Sequence, residues 1–340
     1  MIRVGIIGST GLAGEGLIRV LLGHPEAKLT CVCSDHAAGK DVADVIPGLA
    51  KELSIELCPT DADRLVAETD VVFMAKKSAD SMRLVPRLLE SGVKAIDIGG
   101  EFRLKNPAEY EKWYGGKHEC PELLGEAVYG LPEFHAAEIA AARLIANPGC
   151  YPTSALIPLV PLLRGKLIEP DGIAVDAYSG MSGAGRTSGY AFIDHNEDIR
   201  AYKPVGHKHT PEIEQELSGA AGRPVVISFV PHLAPLDRGI HTTIFARATA
   251  ASADALRALQ EFYADAPFVR VFADPGKVTL LNVRNTNYCD ISVALDNRTG
   301  MVIIVSALDN TTKGAGAQAV QNMNLMFDLD ETTGLKNRSY

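Results

Sequence analysis

No stretch of this 340-residue sequence approaches the roughly 20 consecutive apolar residues that a bilayer span demands. An excess of positive charge is missing too. The formal net charge of -9 and the lack of any basic run argue against a partner that presents a phosphate backbone. Neither a nucleic acid nor a membrane is therefore expected as a partner. The N-terminus is a strand-like run from Ile2, without a cleavable apolar region followed by small residues. Cysteine is sparse: Cys31, Cys33, Cys58, Cys120, Cys150 and Cys289 are scattered through a chain large enough to hold itself together. That usage fits a reducing, cytoplasmic setting and not a disulfide framework. Internal repeats and low-complexity linkers are also absent. What remains is ordinary soluble-protein composition, 46% hydrophobic and 22% charged, at a length that suggests about two domains.

The first segment is a strand feeding a glycine turn. Ile2-Arg3-Val4-Gly5-Ile6-Ile7 is apolar and β-branched, as a buried parallel strand should be. It runs through Gly8-Ser9-Thr10-Gly11-Leu12-Ala13-Gly14 into a helical pattern that puts Leu17, Ile18, Leu21 and Leu22 on one face. In this context the glycines let the backbone approach a pyrophosphate resting on the helix N-terminus, so Gly8, Ser9, Thr10, Gly11, Leu12 and Ala13 are expected to bind a nucleotide. Further strands follow at 29–33, 71–74 and 93–97, with a helical stretch from Ser81 to Leu89. The alternation predicts a Rossmann-type doubly wound parallel sheet over roughly the first 150 residues. The second strand ends at Ser34-Asp35, with Gly39-Lys40 beyond. Asp35 suits the ribose 2′-OH of NAD, whereas Ser34 and Lys40 suit a 2′-phosphate, and spacing leaves the choice open. Cys31 and Cys33 share one face of that strand and read as core.

From about Gly172 the strands lengthen and alternate: 172–177, 225–230, 239–246 and 301–306. With a helix suggested at 253–263, this predicts an α+β domain on a mostly antiparallel sheet. Gly314 to Phe327 returns to helical composition. Three clusters carry chemistry. In Asn147-Pro148-Gly149-Cys150-Tyr151-Pro152-Thr153 a Pro-Gly turn precedes the cysteine, and Pro152 suits the first turn of a helix. A thiol at a helix N-terminus is favoured as thiolate, its reactive form. In Gly206-His207-Lys208-His209-Thr210-Pro211-Glu212 two histidines precede a helix with Thr210 as expected N-cap and Pro211 at its first position. One of them can serve a cysteine as acid/base. A metal site here would need two further ligands at a defined spacing, and none is evident, so no metal is expected. Third, Ser179-Gly180-Met181-Ser182-Gly183-Ala184-Gly185-Arg186 offers backbone N–H groups and a guanidinium to an anion.

These segments resemble the N-acetyl-γ-glutamyl-phosphate reductase family of the aspartate-semialdehyde dehydrogenase-like group. Similar runs lie end to end, among them 8–11, 38–40, 102–104, 129–133, 147–153, 182–186, 207–212, 231–235, 238–240, 287–290, 313–315 and 318–324. The chain departs at Asp97-Ile98-Gly99-Gly100-Glu101, where the family often has Ser-Ala-Asp, and at Ser154, where Ala or Gly is usual. The resemblance implies NADPH-dependent reduction of N-acetyl-γ-glutamyl phosphate, within arginine biosynthesis, to the semialdehyde plus phosphate through a thioester on Cys150. It implies His207 as acid/base, and His209, Arg186, Ser182, Gly183 and Tyr202 as substrate contacts. It favours NADP over NAD and adds Gly314 to the cofactor residues, on a helix returning to the nucleotide domain. The domains are then expected at 1–149 with 314–340, and at 150–313, in a homo-dimer or homo-tetramer. Alternatives are a reductase of aspartyl or carrier-bound aminoadipyl phosphate, which shares the chemistry, and a non-enzymatic nucleotide sensor, which would need neither Cys150 nor His207. A short-chain dehydrogenase or epimerase relies on Tyr-x-x-x-Lys, and no tyrosine here is followed by lysine at that distance.

Overall fold

The computed structural model describes residues 1–76, 79–184, 197–249 and 252–335. They divide into two compact units, Met1–Pro148 with the segment from Ala315, and Gly149–Gly314. In the first unit six strands, β1 (Ile2–Ile7), β2 (Ala27–Cys33), β3 (Val71–Met74), β4 (Lys94–Asp97), β5 (Val128–Tyr129) and β6 (Leu144–Ala146), form one sheet in the order β2-β1-β3-β4-β6-β5. Every pairing in it is parallel. This is the doubly wound Rossmann-type sheet that the alternating pattern predicts. The order reverses beside β1, because the chain leaves β1 for β2 on one side and returns to β3 on the other. Such a switch point opens a crevice at the carboxyl ends of the two strands, here after Ile7 and Met74. Helix Gly316–Met326 packs on helices Leu12–Leu22 and Pro132–Ala141 of the same unit. Its buried amides are matched to specific acceptors: Gln318 Nε2 donates to Gly130 O at 2.9 Å, and Asn322 Nδ2 to Asn147 Oδ1 at 3.0 Å. Cys31 and Cys33 are buried in the core, Cys33 Sγ lying 3.2 Å from Cys58 Sγ.

The second unit is built on seven strands: β7 (Ala174–Ser179), β8 (Arg200–Ala201), β9 (Ser228–Leu233), β10 (Ile240–Arg247), β11 (Val269–Phe272), β12 (Cys289–Asp296) and β13 (Met301–Leu308). Their order is β11-β12-β13-β10-β7-β9-β8. Antiparallel pairs dominate, with β11–β12 and β7–β9 parallel. Along β10 the buried residues Ile240, Thr242, Ile244 and Ala246 alternate with exposed or half-exposed ones. Helices Cys150–Arg164 and Ala255–Phe262 pack on this sheet, and Cys150–Arg164 also packs on helix His209–Ala221. Helix Cys150–Arg164 is buried from Tyr151 to Leu163 and contains Pro158 and Pro161. Proline has no N–H, so Pro161 leaves the carbonyl of Ile157 without its helical donor. The Tyr263 hydroxyl supplies one instead.

Two expectations need correcting. Strand β9 starts at Ser228 and not at Val225, because the Val225 and Ile227 N–H groups go to Ser218 Oγ (2.9 Å) and Glu214 Oε1 (3.1 Å) on helix His209–Ala221. That helix begins at His209, with Lys208 as N-cap in place of Thr210. The reason is His207, whose Nδ1 accepts the His209 N–H at 3.1 Å and whose carbonyl accepts the Thr210 N–H at 2.9 Å.

Candidate active site

Cys150 is the first residue of its helix, and Gly149 is the N-cap with φ -69 and ψ 153. Of the six cysteines it alone is not buried. Gly149, the residue before it, is fixed at both of its backbone polar atoms. The Gly149 N–H donates to Glu212 Oε1 at 2.8 Å, while the Gly149 carbonyl accepts the Thr153 N–H at 2.9 Å and Thr153 Oγ1 at 3.0 Å. Glycine is required at 149 for space and not for conformation. A Cβ there would stand 2.5 Å from His209 Nε2, so the His209 imidazole lies directly on the turn that leads into Cys150. Gly314 closes the opposite side, since a Cβ on it would stand 2.7 Å from Cys150 Cβ and 2.8 Å from Asn310 Cα. Gly314 therefore belongs, by its packing, beside the cysteine.

The two histidines are not equivalent. His207 sits in an aromatic cage, its ring edge-on to Tyr151 (5.7 Å), Tyr202 (5.6 Å) and Phe229 (5.3 Å). Tyr202 does not stand apart as a separate contact: its hydroxyl donates to Tyr151 OH at 3.0 Å. Burial first, and then Tyr202, push the Tyr151 hydroxyl far above its ordinary range, so it stays a neutral phenol. His207 Nδ1 accepts the His209 backbone N–H, which engages the lone pair that a base would use. The expected assignment of His207 as acid/base meets this obstacle, and His209 does not share that bond.

Ser182 and Gly183 come to the same neighbourhood through Asn310. Asn310 Nδ2 donates to Ser182 Oγ at 3.1 Å, and Asn310 Oδ1 accepts the Gly239 N–H at 2.6 Å. A Cβ on Gly183 would meet Ser179 Oγ at 2.7 Å. Arg186 and Gly185 lie outside the described residues. Thus Cys150, His209, Ser182, Gly183 and Gly314 gather around one helix start. Glu212 joins them although its role was not read from the sequence; a carboxylate three residues beyond His209 gives no sign that it reaches Gly149.

In the other unit the glycine turn is compressed. Gly8 has φ +77, where a side chain is strained, and its Cβ would stand 3.0 Å from Ala75 O and Lys76 Cβ. A Cβ on Gly14 would stand 2.4 Å from Gly8 O. The Gly8 and Ser9 N–H groups both donate to Cys33 O at 3.1 Å, which ties the turn to β2 and leaves the ligand-facing amides to the helix start at Leu12 and Ala13. The N-cap Gly11 puts no side chain over that start, so the cradle fits a pyrophosphate. Thr10 Oγ1 and Ser34 Oγ are 3.0 Å apart, and Lys40 is exposed. Asp35 is engaged on both oxygens, by the Thr60 N–H at 2.8 Å and by Lys76 Nζ at 3.1 Å. The Thr60 bond, and then Lys76, hold its carboxyl below the usual range. A carboxylate so occupied is a poor acceptor for a ribose 2′-OH and repels a 2′-phosphate less.

Comparison with known proteins bears on both units. The family described as semialdehyde dehydrogenase, NAD binding domain, matches residues 3–142, and that described as semialdehyde dehydrogenase, dimerisation domain, matches 150–310. The N-acetyl-gamma-glutamyl-phosphate reductase of Citrifermentans bemidjiense is 48% identical over 340 residues, covering 98% of each chain. The chain belongs to the N-acetyl-gamma-glutamyl-phosphate reductase family. A second member, from Symbiobacterium thermophilum, is 45% identical over 342 residues, covering 99% of this chain and 98% of its own. Among solved structures, Vibrio cholerae aspartate semialdehyde dehydrogenase II shares the fold at TM-score 0.74 and 17% identity, covering 96% of this chain and 98% of its own. The reductase family is therefore an oxidoreductase branch on the semialdehyde dehydrogenase fold.

Proposed function

We propose that this protein is a cytoplasmic N-acetyl-γ-glutamyl-phosphate reductase that works through a thioester on Cys150. The observation that carries the reading is the placement of the one unburied cysteine at a helix N-terminus, with the His209 ring packed on the preceding glycine. The helix start favours the thiolate. His209 takes the thiol proton, and the sulfur attacks the acyl carbon. The carbon–oxygen bond to phosphorus breaks, and inorganic phosphate leaves with its electron pair. The turn from Gly8 to Ala13, with Ser34 and Lys40, would hold NADPH, which would supply the hydride that the thioester needs to become a thiohemiacetal. Collapse of that adduct releases the semialdehyde and restores the thiolate. N–H groups at the helix start stabilise the oxyanion in both halves, at about 3 kcal/mol per well-placed donor. Ser182, Gly183 and Arg186 are assigned to the anionic substrate, and His207 and Tyr202 to the cage that fixes the base.

A homo-oligomer is supported by the match to a dimerisation domain, and we assign a homo-dimer or homo-tetramer. The deciding experiment is mass spectrometry of the enzyme mixed with N-acetyl-γ-glutamyl phosphate and no nucleotide. An acyl adduct on Cys150 is expected; an adduct elsewhere, or none under fast quench, rejects the mechanism. Turnover of aspartyl phosphate above that of the N-acetylglutamyl substrate rejects the substrate assignment.

A further inference from the structure

We infer that Glu212 is a positioning residue, one that completes the N-cap of the Cys150 helix from outside it. The inference rests on the reading of Cys150 as acyl acceptor. In a capping box the N–H of the N-cap residue is taken by a Glu or Gln three residues into the same helix. Here the N-cap is Gly149 and the residue three positions on is Pro152, which has no acceptor side chain. Glu212, fully buried on helix His209–Ala221, fills that place with Oε1 at 2.8 Å from the Gly149 nitrogen. The box is thus built across two helices.

The consequence is mechanical. His209 and Glu212 lie on the first turn of one helix, three residues apart and so on one face. The ring of the first packs on Gly149, and the carboxylate of the second holds the Gly149 N–H. With Thr153 holding the Gly149 carbonyl, residue 149 is gripped at both of its backbone polar atoms, one in each flanking peptide. Nucleophile and base are therefore registered to each other by one buried carboxylate, which needs only to accept a hydrogen bond. Neither a negative charge nor a transferable proton on Glu212 is part of this role.

The test compares Glu212→Gln, Glu212→Asp and Glu212→Ala in the full-length enzyme. Readouts are kcat, KM for each substrate, the pH profile of Cys150 alkylation by iodoacetamide, and NADP binding by calorimetry. Glu212→Ala is expected to lower kcat about 100-fold, the scale of a 1 Å misplacement at a reacting centre, and to distort the alkylation profile while leaving the NADP Kd unchanged. Glu212→Gln, which keeps an acceptor oxygen at the same reach, should rescue most of that loss and the shape of the profile. If Glu212→Gln is as damaged as Glu212→Ala, the charge or a proton matters and the inference fails. If Glu212→Ala keeps wild-type kcat and alkylation, it fails also. Should Glu212→Ala not fold, Glu212→Asp decides, because its shorter carboxylate cannot reach Gly149 and wild-type turnover there overturns the inference. Failure of the thioester reading looks different: it is an intact turnover in Cys150→Ser, whatever the Glu212 variants do.

Discussion

Replacing Gly149 with alanine is the most direct way to ask whether His209 serves the nucleophile. The backbone at 149, with φ -69 and ψ 153, accepts any L residue, so the substitution acts through its methyl group alone. That methyl would stand 2.5 Å from His209 Nε2, 2.8 Å from Cδ2 and 2.9 Å from Cε1, whereas ordinary contact begins at 3.4 Å. The ring must retreat by 3.4 − 2.5 = 0.9 Å. A displacement of about 1 Å at a reacting centre costs on the order of 100-fold in rate, or about 2.7 kcal/mol at the barrier. Alanine in place of glycine as N-cap costs about 1 kcal/mol or less of stability, so a small drop in Tm should accompany a large drop in kcat. Rapid-quench measurement of phosphate release isolates the acylation step. In a His209→Ala background the ring is gone, and Gly149→Ala should then add little. Acylation within about threefold of wild type, or an undiminished loss in the His209→Ala background, would refute the assignment of the base.

Further outcomes follow from the same geometry. Asn at 207 keeps an acceptor where His207 Nδ1 receives the His209 N–H, so His207→Asn should retain at least about tenfold more kcat than His209→Asn; equal losses in steady-state kinetics would return the acid/base role to His207. Lys76→Gln leaves Asp35 with one partner fewer; because this ion pair is partly exposed, calorimetry should show NADP affinity falling about fivefold at most, with NAD affinity unchanged or improved. Glu101 is buried beside Asp97, and burial, followed by the Asp97 charge, raises its carboxyl to about 8 from 4.5. A raised carboxyl favours the folded state when protonated, so its contribution is complete below pH 4.5 and is lost as pH rises through about 8. Thermal melts should fall across that window, and Glu101→Gln should flatten the fall; an unchanged slope in Glu101→Gln would place the titration elsewhere.

The architecture was legible where chemistry and local pattern coincide. The β-branched run ahead of Gly8 has the pattern of a buried strand, and a Pro-Gly turn ahead of Cys150 with proline two residues beyond it suits the start of a helix. Both appear at those positions. What escaped depends on contacts between distant segments. Glu212 lies 63 residues from the glycine it holds, and Lys76 lies 41 residues from Asp35. His207 and His209 differ by two positions and share a residue type, so the bond that His207 Nδ1 accepts from the His209 N–H, which distinguishes the two rings, leaves no trace in the sequence. Val225 and Val226 have strand composition, yet the Val225 N–H is taken by Ser218 and the strand starts later. Composition assigns a propensity; it does not say which donor reaches a given N–H first.

The helix from Cys150 to Arg164 relies on outside groups at two points, Glu212 at the N–H of its N-cap Gly149 and Tyr263 at the carbonyl left by Pro161. Its fifteen residues are consequently not a portable cassette. Grafted with its N-cap but nothing else onto another scaffold, the segment would bury the Gly149 amide and the Ile157 carbonyl with nothing to answer them, at about 1–3 kcal/mol each. A designer who wants this helix start elsewhere must carry three pieces of chain, drawn from around residues 150, 212 and 263, and keep their mutual placement.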